Sequence, residues 1–105
     1  KSKPSDLKEL RYSPFIGEGD YQTRHKRIDE FLRDKHKVKI VIYFKVKQLG
    51  SKQFGYNLLN RILRDIGDEI NVDMKPKFLG RNLIMIISAK NTYGKDKNKN
   101  KEVSN

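Results

Sequence analysis

Lys37, Lys39, Lys45 and Lys47 recur at odd positions within residues 36–47, with Tyr43 between them. Odd spacing in an extended strand puts side chains on one side, so the ammonium groups read as one cationic row holding one aromatic ring. Such a row neutralises phosphates and gains affinity from the counterions it displaces, without reading base sequence. The ring offers a face to a base or a sugar. Lys75 and Lys77 join the row if their strand shares that sheet face. The plain alternative is a solvated sheet face kept soluble by lysine. Across the whole chain, Lys and Arg number 24 against 13 Asp and Glu, for a net charge of +11. Residues 90–105 carry five Lys, one Asp and one Glu, so +8 belongs to residues 1–89. A field of that size favours a polyanionic partner. The aromatic signature of an RRM and the GxxG loop of a KH domain are both missing, so recognition by backbone and shape is expected rather than single-strand base reading.

Catalysis has no comparable set of residues. His25 and His36 are the only two imidazoles, and neither has a Ser or carboxylate placed beside it by a motif. Asp65, Asp68, Glu69 and Asp73 cluster in sequence without a metal-binding spacing, and a helix end followed by a strand accounts for them. The run Gly17-Glu-Gly-Asp20 is too short for a P-loop and lacks its Lys-Ser/Thr ending. Without cysteine, disulfide scaffolds and thiolate metal sites are excluded. No cofactor or metal is expected. The longest apolar runs fall far short of a membrane span, so a soluble, cytoplasmic domain without a membrane partner is expected.

The cationic row needs a sheet to carry it. Residues 36–47 alternate Val38, Ile40, Ile42, Phe44 and Val46 with the odd set, the period-2 pattern of a strand with one buried face. Residues 70–77 repeat it, with Ile70, Val72 and Met74 on one side, and Pro76 marks an edge or a bulge. Asn82–Ala89 is almost wholly apolar and reads as a more central strand, while Leu7–Tyr12 is a short strand. Between the strands, Asp20 reads as the N-cap of a helix whose Tyr21, Ile28, Phe31 and Leu32 share an apolar arc, with Arg24 inside that arc but in the first turn. Ser51 reads as the N-cap of a second helix that buries Phe54, Leu58, Leu59, Ile62 and Ile66. Gly55 lies in that stripe despite a cost of roughly 1 kcal/mol against Ala, which predicts close approach of helix to sheet. Gly67 ends the helix. The expected fold is an α+β two-layer sandwich of the broad α/β class. Its order is βαβαββ, with a four-stranded mixed sheet and two helices on one face. Residues 1–6 read as the end of a linker, 7–90 as the folded domain, and 91–105 as a disordered Lys/Asn-rich tail.

Residues 16–32, I-G-E-G-D-Y-Q-T-R-H-K-R-I-D-E-F-L, lead into the Lys-alternating strand, the Gly-containing second helix and Gly80-Arg81-x-x-I-M-I. This ordered set resembles the C-terminal domain of bacterial translation initiation factor 3 over residues 7–90. The resemblance implies the same architecture and a non-enzymatic monomer. It implies binding to the small (30S) ribosomal subunit through 16S-type rRNA, exclusion of the large subunit, and support for start-codon and initiator-tRNA selection, with mRNA and tRNA touched only indirectly. Carried onto matching positions, Tyr21, Arg24 and Lys26 stand for the family's tyrosine and two following basic residues, and Lys45 and Lys47 for arginines of its R-F-R-G-R-E run. Arg61 follows Asn60 as in the family's N-R pair, and Arg81 keeps the G-R before the last strand. Arg11 and Pro14 remain from a basic-x-R-P run in which Ser13 has replaced arginine. Glu30 reverses a commonly basic position, Val46 replaces a glycine, and Gly50-Ser51 replaces A-H; Arg27 and Arg64, with Arg33 and Lys52, offset these losses. The implied rRNA-binding set is thus Arg11, Tyr21, Arg24, Lys26, Arg27, Lys45, Lys47, Arg61, Arg64 and Arg81. An organellar matrix is the alternative location, and a general RNA-binding or RNA-chaperone domain the alternative function.

Overall fold

The alternating apolar residues find one another in a computed structural model that describes residues 6–93. Four strands form one mixed sheet: β1 (Leu7–Tyr12), β2 (Lys37–Tyr43), β3 (Ile70–Leu79) and β4 (Asn82–Ala89). Their order across the sheet is β1-β2-β4-β3, with β1 parallel to β2 and the other pairs antiparallel. Helices α1 (Glu18–Arg33) and α2 (Lys52–Ile66) supply the second layer. Val38, Ile40 and Ile42 of β2 meet Leu83, Met85 and Ile87 of β4 on the covered face, and all six have no exposed surface. Tyr21, Ile28 and Leu32 of α1 and Leu58, Leu59, Ile62 and Ile66 of α2 close over them in one core cluster. Full burial of each large aliphatic or aromatic side chain stabilises by about 1.5–3 kcal/mol. The βαβαββ sandwich expected from sequence is the fold observed.

At Gly55 α2 comes down tightly on the side chains beneath it. A Cβ on it would lie 2.6 Å from Cζ and 3.0 Å from Cε1 of the buried Phe44, and 3.2 Å from Cδ2 of Leu83. The glycine is thus the contact point of α2 on the sheet. At the other end of α2, Gly67 takes φ +99° and its N–H donates to the Leu63 carbonyl, ending the helix as expected. β4 is central and β3 an edge strand. The β3–β4 register slips between Met74 and Lys77, which places Pro76 at an irregularity on the edge.

Three local expectations are corrected. β2 stops at Tyr43, and Val46–Ser51 is a 3-10 turn, so Lys45 and Lys47 do not continue the strand row. The ladder runs out first: Phe44 N–H still donates to the Arg81 carbonyl, but β4 begins only at Asn82 and offers nothing beyond. Val46 is consequently exposed. α1 begins at Glu18 with Gly17 as its cap residue, which puts Asp20 in the first turn, where a carboxylate complements the helix dipole. Ser51 holds the N-cap position of α2 as expected, without a side-chain capping bond. Phe54 is half exposed because Gly55, roughly 100° away on the wheel, takes the position facing the sheet.

Asp6, in the stretch read as a linker, donates its N–H to His36 Nδ1 at 3.2 Å. Residues 91–93, in the stretch read as a tail, form a turn that buries Tyr93, whose hydroxyl donates to Asp29 Oδ1 at 2.6 Å. The rest of the tail, 94–105, and linker residues 1–5 lie outside the described residues.

On the uncovered sheet face the register aligns Arg11, Val41, Ile84 and Lys77 in one cross-strand row. Lys77 therefore does share a face with β2, as the sequence allowed. Val41 and Ile84 are 2% and 5% exposed yet belong to no core cluster. Arg11 and Lys77 stand at the two ends of the row, positions from which a long basic side chain can lay methylenes along apolar surface and keep its charged head in water.

Gly55→Ala tests the contact point. Overpacking costs about 1–3 kcal/mol and outweighs the gain of ~1 kcal/mol in helix propensity, so urea unfolding is expected to show a net loss of ~1 kcal/mol. Unchanged or higher stability would show that the Phe44 ring moves aside freely.

Candidate nucleic-acid interface

The parallel pair β1–β2 ends with both carboxyl termini on one side, and the chain leaves them through two turns. After β1, Phe15 N–H donates to Ser13 Oγ and Ile16 N–H to the Ser13 carbonyl, both at 3.2 Å, which tightens the loop into α1. After β2, the Gln48 side-chain oxygen accepts the Lys45 N–H at 2.9 Å, and Gln48 N–H donates to the Lys45 carbonyl at 2.8 Å. Between these turns lies a pocket of about 240 Å³ lined by Arg11, Tyr12, Ser13, Arg24, Tyr43, Lys45 and Gln48. Three cations thus converge from β1, α1 and the end of β2.

Arg24 is aimed by its backbone contacts. Its Nε donates to the Arg11 carbonyl at 2.6 Å, and its guanidinium carbon lies 5.9 Å from the centre of the Tyr12 ring. Arg11 has Nε on Glu9 Oε2 at 3.1 Å, an exposed pair worth little. Arg81, in the β3–β4 turn, sits 5.9 Å from the centre of the Tyr43 ring. Tyr43 thereby joins Arg81 to the pocket. An open concavity of this charge, with a half-exposed phenol at its rim, accepts a phosphate or another oxyanion by charge-assisted hydrogen bonds.

Arg61 forms a second, separate cluster. Its guanidinium lies 3.9 Å from the centre of the Tyr21 ring, and its Nη2 donates to both oxygens of Glu18 at 2.9 and 2.7 Å. Its Nε lies 3.7 Å from Asp65 Oδ2, the same oxygen that accepts the Tyr21 hydroxyl at 2.6 Å. The hydrogen bond from Arg61 holds the Glu18 carboxyl below its ordinary range. Glu18, in the run dismissed above as a P-loop, is therefore the group that occupies Arg61.

The ten sequence-derived contacts divide accordingly. Arg11, Arg24 and Lys45 share the pocket, and Arg81 borders it through Tyr43. Lys47 is exposed in the 3-10 turn next to it. Arg61 is held by carboxylates, and Lys26, Arg27 and Arg64 are exposed on the helices, outside the pocket. Tyr21 is corrected: it has no exposed surface, so its ring supports Arg61 from below and touches no external ligand. Lys37 of the strand row lies 3.3 Å from Asp73. Ser13 and Gln48 carried no sequence signal as pocket residues, because turn geometry alone brings them there. Among the described residues, no group of three or more His, Cys, Asp or Glu is placed to hold a metal.

A two-layer α+β sandwich with basic residues gathered at its strand ends defines a small basic α+β domain. Comparison with known proteins makes this specific: the family model "Translation initiation factor IF-3, C-terminal domain" matches residues 5–90, and the chain belongs to that family. It is 36% identical over 88 residues to translation initiation factor IF-3 of Thermus thermophilus, covering 84% of this chain and 52% of that protein. The Thermotoga maritima factor is 36% identical over 92 residues, 88% of this chain and 54% of its own. The Xanthomonas axonopodis factor is 34% identical over 90 residues, 86% and 50% respectively. The chain spans about half the length of these relatives.

Three tyrosines give the interior a pH signature. Burial raises the phenols of Tyr12, Tyr21 and Tyr93 well above the ordinary tyrosine range, and hydrogen bonds to Asp65 and Asp29 add to it for the latter two. The folded chain keeps protons that the unfolded chain sheds above about pH 10. This contribution to stability is therefore complete below that pH and drains away as pH rises towards the raised values. In an alkaline titration, phenolate absorbance from these three should emerge together with loss of the far-ultraviolet dichroism. Ionisation of all five tyrosines with the dichroism intact would contradict their burial.

Proposed function

We propose that this domain is a non-enzymatic translation initiation module that docks on the small ribosomal subunit through rRNA phosphates and keeps the large subunit from joining. The observation that carries the reading is the convergence of Arg11, Arg24 and Lys45 on one pocket, in a chain whose family is that of a translation initiation factor. No bond is made or broken in this role. Binding free energy for one subunit competes with the association of two, and support for start-codon and initiator-tRNA selection follows from which complexes are kept apart. The partners are the 30S subunit and its 16S-type rRNA, with initiator tRNA and mRNA affected indirectly, in a bacterial cytoplasm.

Sucrose gradients of mixed subunits give the direct test: stoichiometric protein should leave the subunits apart, and undiminished joining rules the proposal out. Bulk RNA that competes as well as 30S particles would replace it with a general RNA-binding role. For n phosphates neutralised, log K should fall against log salt with a slope of about −0.7n to −0.9n, and a flat response would contradict a phosphate-dominated surface. Arg24→Ala should weaken 30S binding by ~1–3 kcal/mol, the worth of a charge-assisted hydrogen bond. Equal affinity at near-physiological salt would remove Arg24 from the site.

Glu18→Gln has the opposite expected sign. Freeing Arg61 from an exposed ion pair should tighten 30S binding by up to about fivefold, the ~1 kcal/mol ceiling of such pairs. A weaker complex would show that Glu18 positions Arg61 instead of competing for it.

A further inference from the structure

Phe15 and Phe54 stand together on the surface without a structural need to do so. Their rings are 5.1 Å apart, centre to centre, at 54°, and the two residues are 52% and 51% exposed. One comes from the loop after β1 and the other from the first turn of α2. Other exposed positions of α2 include the polar Gln53, Asn57 and Asn60, and the exposed Tyr56 packs its ring on Phe78 instead. Half of each phenyl ring meets water where a polar side chain would serve solvation better.

Their placement suggests what covers them. Phe15 lies two residues past Ser13, which lines the cationic pocket, and its N–H is tied to Ser13 Oγ. The loop that shapes the pocket is thus the loop that presents the ring. An aromatic step beside three cations matches a nucleotide whose base is free to stack while its phosphate is neutralised. A base-paired helix shows no base face, and an apolar protein segment has no use for the adjacent Arg11, Arg24 and Lys45.

We infer that Phe15 and Phe54 form a stacking platform for an unpaired RNA base, whose flanking phosphate is held by Arg11, Arg24 and Lys45. The inference rests on the proposed RNA docking and narrows it: part of the bound RNA is a loop, bulge or strand end. It also revises the expectation, drawn from missing motifs, that backbone and shape alone are recognised.

The test is fluorescence anisotropy with three labelled probes: a short oligouridylate, the same strand with abasic residues, and an RNA duplex of similar charge. The variant Phe15→Leu with Phe54→Leu keeps apolar bulk and removes the aromatic faces; its thermal melting is recorded alongside. Oligouridylate should bind the variant about tenfold more weakly. Duplex binding should stay unchanged, and the abasic strand should not distinguish variant from wild type. Equal weakening on oligouridylate and duplex, or unchanged oligouridylate affinity, overturns the platform. Loss of 30S affinity with every RNA probe unaffected assigns the pair to a protein neighbour and also overturns it, while ribosome docking stands. Conversely, 30S particles that ignore the wild-type protein end the docking proposal, yet leave an oligouridylate effect to support the platform.

Discussion

The height of α2 above the sheet is the constraint on which the rest depends. Phe44 fills the space that a side chain on Gly55 would take, so the helix settles directly on the ring and on Leu83. At that height Ile62 and Ile66 reach the core further along the same helix. Asp65, on the flank, meets the Tyr21 hydroxyl and ties α2 to α1 by a hydrogen bond spanning 44 positions of sequence. That link fixes the start of α1 relative to the strand ends, and so fixes Arg24 over Tyr12 at the mouth of the pocket.

Net charge alone would have misjudged the surface. Several cations are already engaged: Lys37 with Asp73, Arg33 with Asp29, and Arg61 with Glu18 and Asp65. Exposed pairs of this kind hold side chains in place more than they stabilise. At the strand end Arg24 and Lys45 line one pocket with backbone or turn contacts, and among the described residues neither has a carboxylate partner within 4.0 Å. Charge that is positioned and uncommitted matters more for an anionic ligand than the overall total.

Most of the fold was legible because apolar periodicity is a local property. The alternation of Val38, Ile40 and Ile42, the stripe of Leu58, Leu59, Ile62 and Ile66, and the punctuation by Gly55, Gly67 and Pro76 all carry their meaning within a few residues. The misreadings came where a distant partner decides. Lys45 and Lys47 continue the alternation, but a strand lasts only as long as its neighbour, and β4 starts at Asn82. The spacing puts Tyr21 in the buried arc of α1, and only the resemblance turns it outward as an RNA contact; its burial follows the spacing. Phe54 fits the apolar stripe until Gly55 claims its centre. Tyr93 sits in a polar run and is drawn in by Asp29, 64 positions away. The candidate site was legible in its cations and not in its shape, since Ser13 and Gln48 enter it through turns.

The shielded row on the open sheet face has one more consequence. Register sets Arg11 and Lys77 at the two ends of the row that holds Val41 and Ile84, where a basic side chain brings a hydrocarbon stem together with its charge. Acetylation of Lys77 would uncouple the two, erasing a positive charge while leaving the hydrocarbon cover in place. Replacement by a short acid would strip both. On this face, a lysine count measures how much oil is hidden as well as how strong the field is.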